Sequence, residues 1–185
     1  MASLVLSSML TPLNSTMLSV VLGPIGREFE QPDGMVTHVL VTSYLITSIV
    51  MQAPSGKLGD RLGHRTTLAY GQWAFLLGSL GAFFAPTFWL LGLARVVMAT
   101  GGALIVPSAT ALLRIELPAE KRGAAFGAFG AAMALSAAIG PVLGGFITAH
   151  ASWRATFLVN LVVLPIAARL ALVPHARPSA ETPTL

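Results

Sequence analysis

From Met1 to Gly26 the chain holds no Asp, Glu, Lys or Arg, and stretches of the same character recur to its end. Apolar runs of this length leave few options. A helix needs about 20 apolar residues to cross a bilayer, and a soluble domain carries about 25% charged residues. Here the 185 residues are 55% hydrophobic and 10% charged, with a mean hydropathy of +0.77. Such a chain lacks the polar surface to cover itself in water. The runs are continuous rather than alternating, which indicates helices and not a barrel. An all-α polytopic membrane helix bundle is therefore expected.

Charges and turn residues divide the chain into six expected transmembrane helices, at about 4–25, 35–56, 66–85, 88–110, 123–148 and 153–173. Residues 1–173 form one domain on this reading, and the Pro-rich 174–185 (PHARPSAETPTL) a disordered cytoplasmic tail. The first run has no Lys or Arg before it, so it reads as a retained helix rather than a signal peptide. The breaks are Arg27 to Gly34, a charged loop from Gly56 to Arg65, Ala85-Pro86-Thr87, Arg114 to Arg122, and His150 to Trp153. Pro54, Pro107, Pro141 and Pro165 are expected to bend or break helices near span ends.

Charge sets the orientation. Lys57, Arg61, Arg65, Arg114, Lys121, Arg122, Arg169 and Arg177 fall on one side, against Arg27 and Arg154 on the other. By the positive-inside rule both termini are cytoplasmic, as for a multi-pass protein of a bacterial inner (plasma) membrane. The net charge of +4 and pI of about 10.4 do not indicate nucleic acid, because the basic residues are scattered. Zero cysteines exclude a disulfide scaffold and a Cys nucleophile. His38, His64, His150 and His175 are far apart, and no serine stands in a nucleophile-elbow context. An intramembrane enzyme is thus disfavoured, and no metal or cofactor is expected.

Three features carry chemistry. The loop Gly56-Lys57-Leu58-Gly59-Asp60-Arg61-Leu62-Gly63-His64-Arg65 combines turn glycines with an acid and two arginines. Asp60 can accept from a helix N-terminus, and Arg61 and Arg65 can clamp carboxylates or carbonyls. The same loop also reads simply as a charged turn that fixes topology. Arg95 is the single charge away from the ends of a span, where burial costs about 2.5–3.5 kcal/mol. It must face a cavity or a partner, or snorkel to the outer interface. The fifth span is rich in small residues: Gly127, Gly130, Ala134, Ala138, Gly140, Gly144 and Gly145. These permit close helix approach, with or without a meaning for transport.

The pattern G-x-L-x-D-R-x-G-x-R between spans two and three resembles the signature loop of the major facilitator superfamily. Pro12-Leu13-Asn14-Ser15-Thr16-Met17 resembles the first-helix motif of its drug/proton antiporter branch with fourteen helices. Arg95 with Gly101-Gly102-Ala103 and Pro107 resembles the fourth-helix motif, and Gly140-Pro141-Val142-Leu143-Gly144-Gly145 the fifth-helix antiporter motif. Ser152-Trp153-Arg154 with Phe157 and Asn160 is similar to the sixth-helix entry. The resemblance covers nearly the whole chain and matches the N-terminal six-helix half of the family fold.

That resemblance implies proton-linked efflux of small lipophilic compounds, completed by a C-terminal half or by a second copy. Gly56, Gly59, Asp60, Arg61, Gly63 and Arg65 would form a conformational latch against the other half. Asn14 and Arg95 would face the cavity, with Arg95 serving proton coupling through an acid. Gly140, Pro141, Gly144 and Gly145 would seal the helix packing. Candidate cavity residues also include Met17, Tyr44 and Gln52. The chain departs from the pattern at Met98, Ala99 and Ser136, and at Asn14, where many relatives carry aspartate. None of the seven acidic residues falls within a span, so a proton-carrying group is expected in the other half, or coupling is absent. The alternative is a half-length membrane protein with no transport of its own.

Overall fold

A computed structural model describes residues 2–162. Helix α1 runs over Ala2–Glu28. Helix α2 is continuous over Asp33–Leu62, with a π-helical stretch at His38–Thr42. It is followed by α3, His64–Phe83, α4, Phe88–Glu116, and α5, Ala119–His150. The short α6, Ala155–Leu158, continues as a 3-10 turn over Val159–Val162. Four of these helices (α1, α2, α4 and α5) are long and apolar enough to cross a membrane. Helix α3 is shorter and holds His64, Arg65, Thr66, Thr67 and Gln72. The sixth span expected at 153–173 is described only to residue 162; Pro165 and the tail at 174–185 lie outside the described residues.

Helix α4 forms the centre, with Leu91, Met98, Ala99, Ile105, Ala109 and Leu113 all inaccessible. Helix α3 lies along it at backbone distance. A Cβ on Gly101 would stand 2.7 Å from the Gly71 carbonyl oxygen, and one on Gly78 2.9 Å from that of Ala94. Helix α5 meets α1 in the same way. A Cβ on Gly140 would lie 3.0 Å from the Leu13 carbonyl oxygen, and one on Gly144 2.9 Å from that of Met17. In a bilayer, where lipid supplies no hydrophobic drive between helices, such close backbone contact is the main source of packing energy.

Two expectations change. The stretch Gly56–Arg65 is not an open loop: α2 continues as helix through Leu62, and Gly63 alone breaks the chain before α3. A helix projecting beyond the apolar layer can carry Lys57, Asp60 and Arg61 on water-facing turns, and Arg61 in its last turn complements the helix dipole. Gly63 takes φ +86° and ψ 139°, a conformation open in practice only to glycine. Of the bend or break expected at the prolines, the break does not occur. Pro54, Pro107 and Pro141 lie inside α2, α4 and α5, which continue past them.

The small residues of α5 divide between two faces. Gly140 and Gly144 are buried on α1, whereas Gly127, Gly130, Ala134 and Ala138 are exposed. Ser136 is buried on the packed face and donates to the Met133 carbonyl at 2.9 Å, so its hydroxyl is satisfied within its own helix.

Candidate functional site

Arg95 projects from the N-terminal third of α4 and is 1% exposed, its side chain turned into the bundle rather than out to an interface. Its Nη1 donates to Asn14 Oδ1 on α1 at 2.6 Å. Its Nε donates to the Leu40 carbonyl on α2 at 3.3 Å. The guanidinium carbon lies 4.2 Å from the centroid of the Tyr44 ring, within cation–π range. One side chain thereby ties three helices together through an amide, a carbonyl and an aromatic face. Among the described residues no carboxylate pairs with it.

The Leu40 carbonyl belongs to the π-helical stretch of α2, where the Ser43 amide bonds back five residues to the His38 oxygen. A π-turn widens the helix locally and is a frequent feature of functional sites. Leu40 and Tyr44, four residues apart on one face, meet the same guanidinium from this stretch. His38, at its start, is exposed.

Beside Tyr44 opens a cavity of ≈ 460 Å³ between α1, α2 and α4. Its polar atoms come from Thr11, Tyr44, Ser48, Gln52 and Thr110. Leu45, Ala103, Val106 and Pro107 make the rest of the wall apolar. A cavity of this size and character accommodates a small organic molecule. Tyr44 and Gln52 line it. Asn14, Arg95 and Met17, expected to face the cavity, do not line this one: all three are buried in helix contacts, Met17 with its backbone against Gly144.

The signature residues gather at the end of the bundle that holds the α2–α3 and α4–α5 connections. Arg65 does clamp a carboxylate: its Nη2 and Nε donate to Glu116 Oε1, at 2.6 and 3.0 Å, joining α3 to the end of α4. Asp60 is exposed, with His64 Nε2 3.7 Å away, and no side chain caps the N-terminus of α3. Of the signature glycines, Gly59 is the one hemmed in by a side chain, because a Cβ there would run into the His64 ring. Gly56 has open space. Arg61 is exposed. A hollow of ≈ 570 Å³ lies at this end, lined by Asp60, His64, Arg114 and Phe126 among others.

At the opposite end the structure joins Trp153, Arg154 and Asn160 of the sixth-helix entry to partners that the sequence did not single out. Glu28, in the last turn of α1, accepts from Trp153 Nε1 at 2.6 Å and from Arg154 Nη1. Arg154 also donates to the Ala85 carbonyl at 3.3 Å and stacks over the Trp153 ring. Phe29 packs on both Phe88 and Trp153. Asn160 then donates to Ser79 on α3 at 2.8 Å. The Trp-Arg pair was visible in the sequence, but nothing in the spacing identified Glu28, more than a hundred residues away, as its acceptor.

A family model described as "Major Facilitator Superfamily" matches residues 4–184. The chain belongs to the major facilitator superfamily. It is therefore a multi-pass membrane protein of a transporter family. It is 38% identical over 170 residues to the uncharacterized MFS-type transporter YvkA of Bacillus subtilis, covering 92% of this chain and 38% of that protein. It is 32% identical over 185 residues to the multidrug efflux pump LfrA of Mycolicibacterium smegmatis, covering 99% of this chain and 36% of LfrA. The fold matches a crystal structure of a D-xylose–proton symporter with a TM-score of 0.80 at 18% identity, over 95% of this chain and 48% of the symporter. The chain thus spans little more than a third of the curated relatives and about half of the solved transporter.

Proposed function

We propose that this chain is the N-terminal half of a proton-linked exporter of small lipophilic compounds. It would lie in a bacterial inner membrane with both termini in the cytoplasm. The observation that carries the reading is the buried Arg95, held by Asn14 and Tyr44, with a mostly apolar cavity lined by the same Tyr44. A charge buried among helices marks a working site rather than packing, because simple packing would not retain its cost. The efflux of lipophilic compounds is supported by the similarity to LfrA and by the apolar wall of the cavity.

Substrate sites in such transporters lie near the midplane between two halves, so these helices supply one wall. The second wall is a C-terminal half, or a second copy of this chain. On this reading Gly56, Gly59, Asp60, Arg61, Gly63 and Arg65 form the latch surface toward that half, with the hollow beside Asp60 and Arg114 as its seat. Gly140, Pro141, Gly144 and Gly145 seal α5 against α1. The proton-carrying acid belongs to a C-terminal half, since Arg95 is satisfied here by an amide and a second copy would bring no acid within a span. A second reading is a membrane protein of this family without transport of its own.

The two readings separate in everted membrane vesicles from cells expressing the gene in its natural genetic context. With a pH gradient established, adding a lipophilic dye should discharge part of the gradient. No discharge with any of a panel of lipophilic compounds, despite expression of the protein, supports the second reading.

A further inference from the structure

Tyr44 has two polar surfaces, and only one is satisfied. Its ring face meets the Arg95 guanidinium at 4.2 Å. Its hydroxyl is buried, lines the cavity, and has no hydrogen-bond partner among the described residues. Tyr44 as a whole is 4% exposed. The Thr11 hydroxyl, on the same wall, is likewise buried without a partner. Between them Gly102 presents no side chain: a Cβ there would stand 3.4 Å from the Tyr44 oxygen and 3.1 Å from Thr11 Cγ2. Two unsatisfied hydroxyls at the floor of one cavity are costly in a folded protein, about 1–3 kcal/mol each, unless a ligand group or water completes them.

A cation against the ring withdraws electron density from the phenol, so its O–H becomes a stronger donor and a poorer acceptor. The same positive charge, with no carboxylate paired to it among the described residues, repels a second cation brought into the adjoining cavity. We infer that Tyr44, with Thr11 beside it, selects ligands that are apolar, uncharged and equipped with a hydrogen-bond acceptor such as a ketone oxygen. Tyr44 is then the specificity-determining residue of the cavity, and Arg95 a positioning residue that acts through its ring. This rests on the cavity being the substrate wall proposed above.

The test uses three probes of one shape: 9-fluorenone, fluorene and the protonated amine 9-aminofluorene. Binding to the full chain in lipid nanodiscs is measured by equilibrium dialysis against protein-free discs. Fluorenone should bind about tenfold more tightly than fluorene, the worth of one polarised hydrogen bond, and aminofluorene more weakly than both. Tyr44→Phe should bring fluorenone down to the level of fluorene and leave fluorene unchanged. Thr11→Val should reduce the preference in part. Ser48→Trp, which fills the cavity, should abolish binding of both.

If Ser48→Trp abolishes binding but Tyr44→Phe keeps the preference, the cavity stands and the role of Tyr44 is overturned. Aminofluorene binding as tightly as fluorenone overturns it as well. If Tyr44→Phe loses fluorene too, Thr11→Val decides, since it leaves the ring in place: an unchanged preference there overturns the proposal. If Ser48→Trp leaves every probe bound, the cavity is not the substrate wall, and the functional reading fails with it.

Discussion

Asn14 Oδ1 accepts a 2.6 Å hydrogen bond from Arg95 Nη1 across the α1–α4 contact, deep inside the bundle. An amide in this position neutralises nothing. It completes a donor while leaving the charge of the guanidinium intact, so the site keeps a fixed positive charge rather than an ion pair that titrates.

Removing that acceptor should therefore cost stability and not merely function. Asn14→Leu leaves the Nη1 donor buried without a partner, and the chain should lose about 1–3 kcal/mol in denaturant unfolding in micelles. Asn14→Gln, which keeps an amide, should lose less. Equal stability of Asn14→Leu and the unsubstituted chain would show that the contact carries no energy.

The two faces of α5 should respond oppositely to the same substitution. Gly144→Leu forces side-chain atoms onto the Met17 backbone, where a Cβ alone would stand 2.9 Å from the carbonyl oxygen. We expect a loss of about 1–3 kcal/mol or more, with α1 and α5 pushed apart. Gly127→Leu meets nothing within 4 Å and should change the stability of the chain in micelles by about 0.5 kcal/mol or less. Similar losses for both would contradict the assigned packing face.

Gly63 joins α2 to α3 at φ +86°, where a Cβ is strained even though space is open around it. Gly63→Ala should cost about 1–3 kcal/mol from backbone strain alone. Hydrogen exchange should locate the change at residues 60–67, with the centre of α4 unaffected. An alanine variant as stable as the parent would contradict the backbone geometry.

At the opposite end, Glu28 joins α1 to the start of α6 through Trp153 and Arg154. Glu28→Gln keeps the shape but removes the charge, so both contacts weaken. Added salt should weaken the contact in the parent and have little effect in the variant, because the exposed Glu28–Arg154 pair is open to screening. Limited proteolysis of the 150–155 connection is the readout. Cleavage equally fast in parent and variant at low salt would sink the idea.

Much of the fold was legible because lipid makes one demand throughout: continuous apolar runs must become helices, and charges must mark their ends. Arg95 stood out for the same reason, as the single charge with no aqueous exit. Its partners were only partly legible. Asn14 and Tyr44 were candidates by helix position, but the Leu40 carbonyl became an acceptor only through a π-turn that no side chain announces. The stretch around Asp60 reads as a loop in the sequence because it is charged, yet charge ends only the membrane-buried part of a helix, and α2 runs on to Leu62. Glu28 and Trp153 could not be paired from sequence, since their contact depends on how the ends of α1 and α6 come together.

The central claim is that Arg95 and its neighbours form the working site of an exporter. The most direct test is accumulation of a lipophilic fluorescent dye in cells expressing the gene in its natural genetic context, for the parent and for Arg95→Ala at matched membrane levels. The account predicts that the parent lowers accumulation, that a protonophore abolishes this, and that Arg95→Ala accumulates dye as cells without the gene do. Efflux by Arg95→Ala at the parental rate would contradict it.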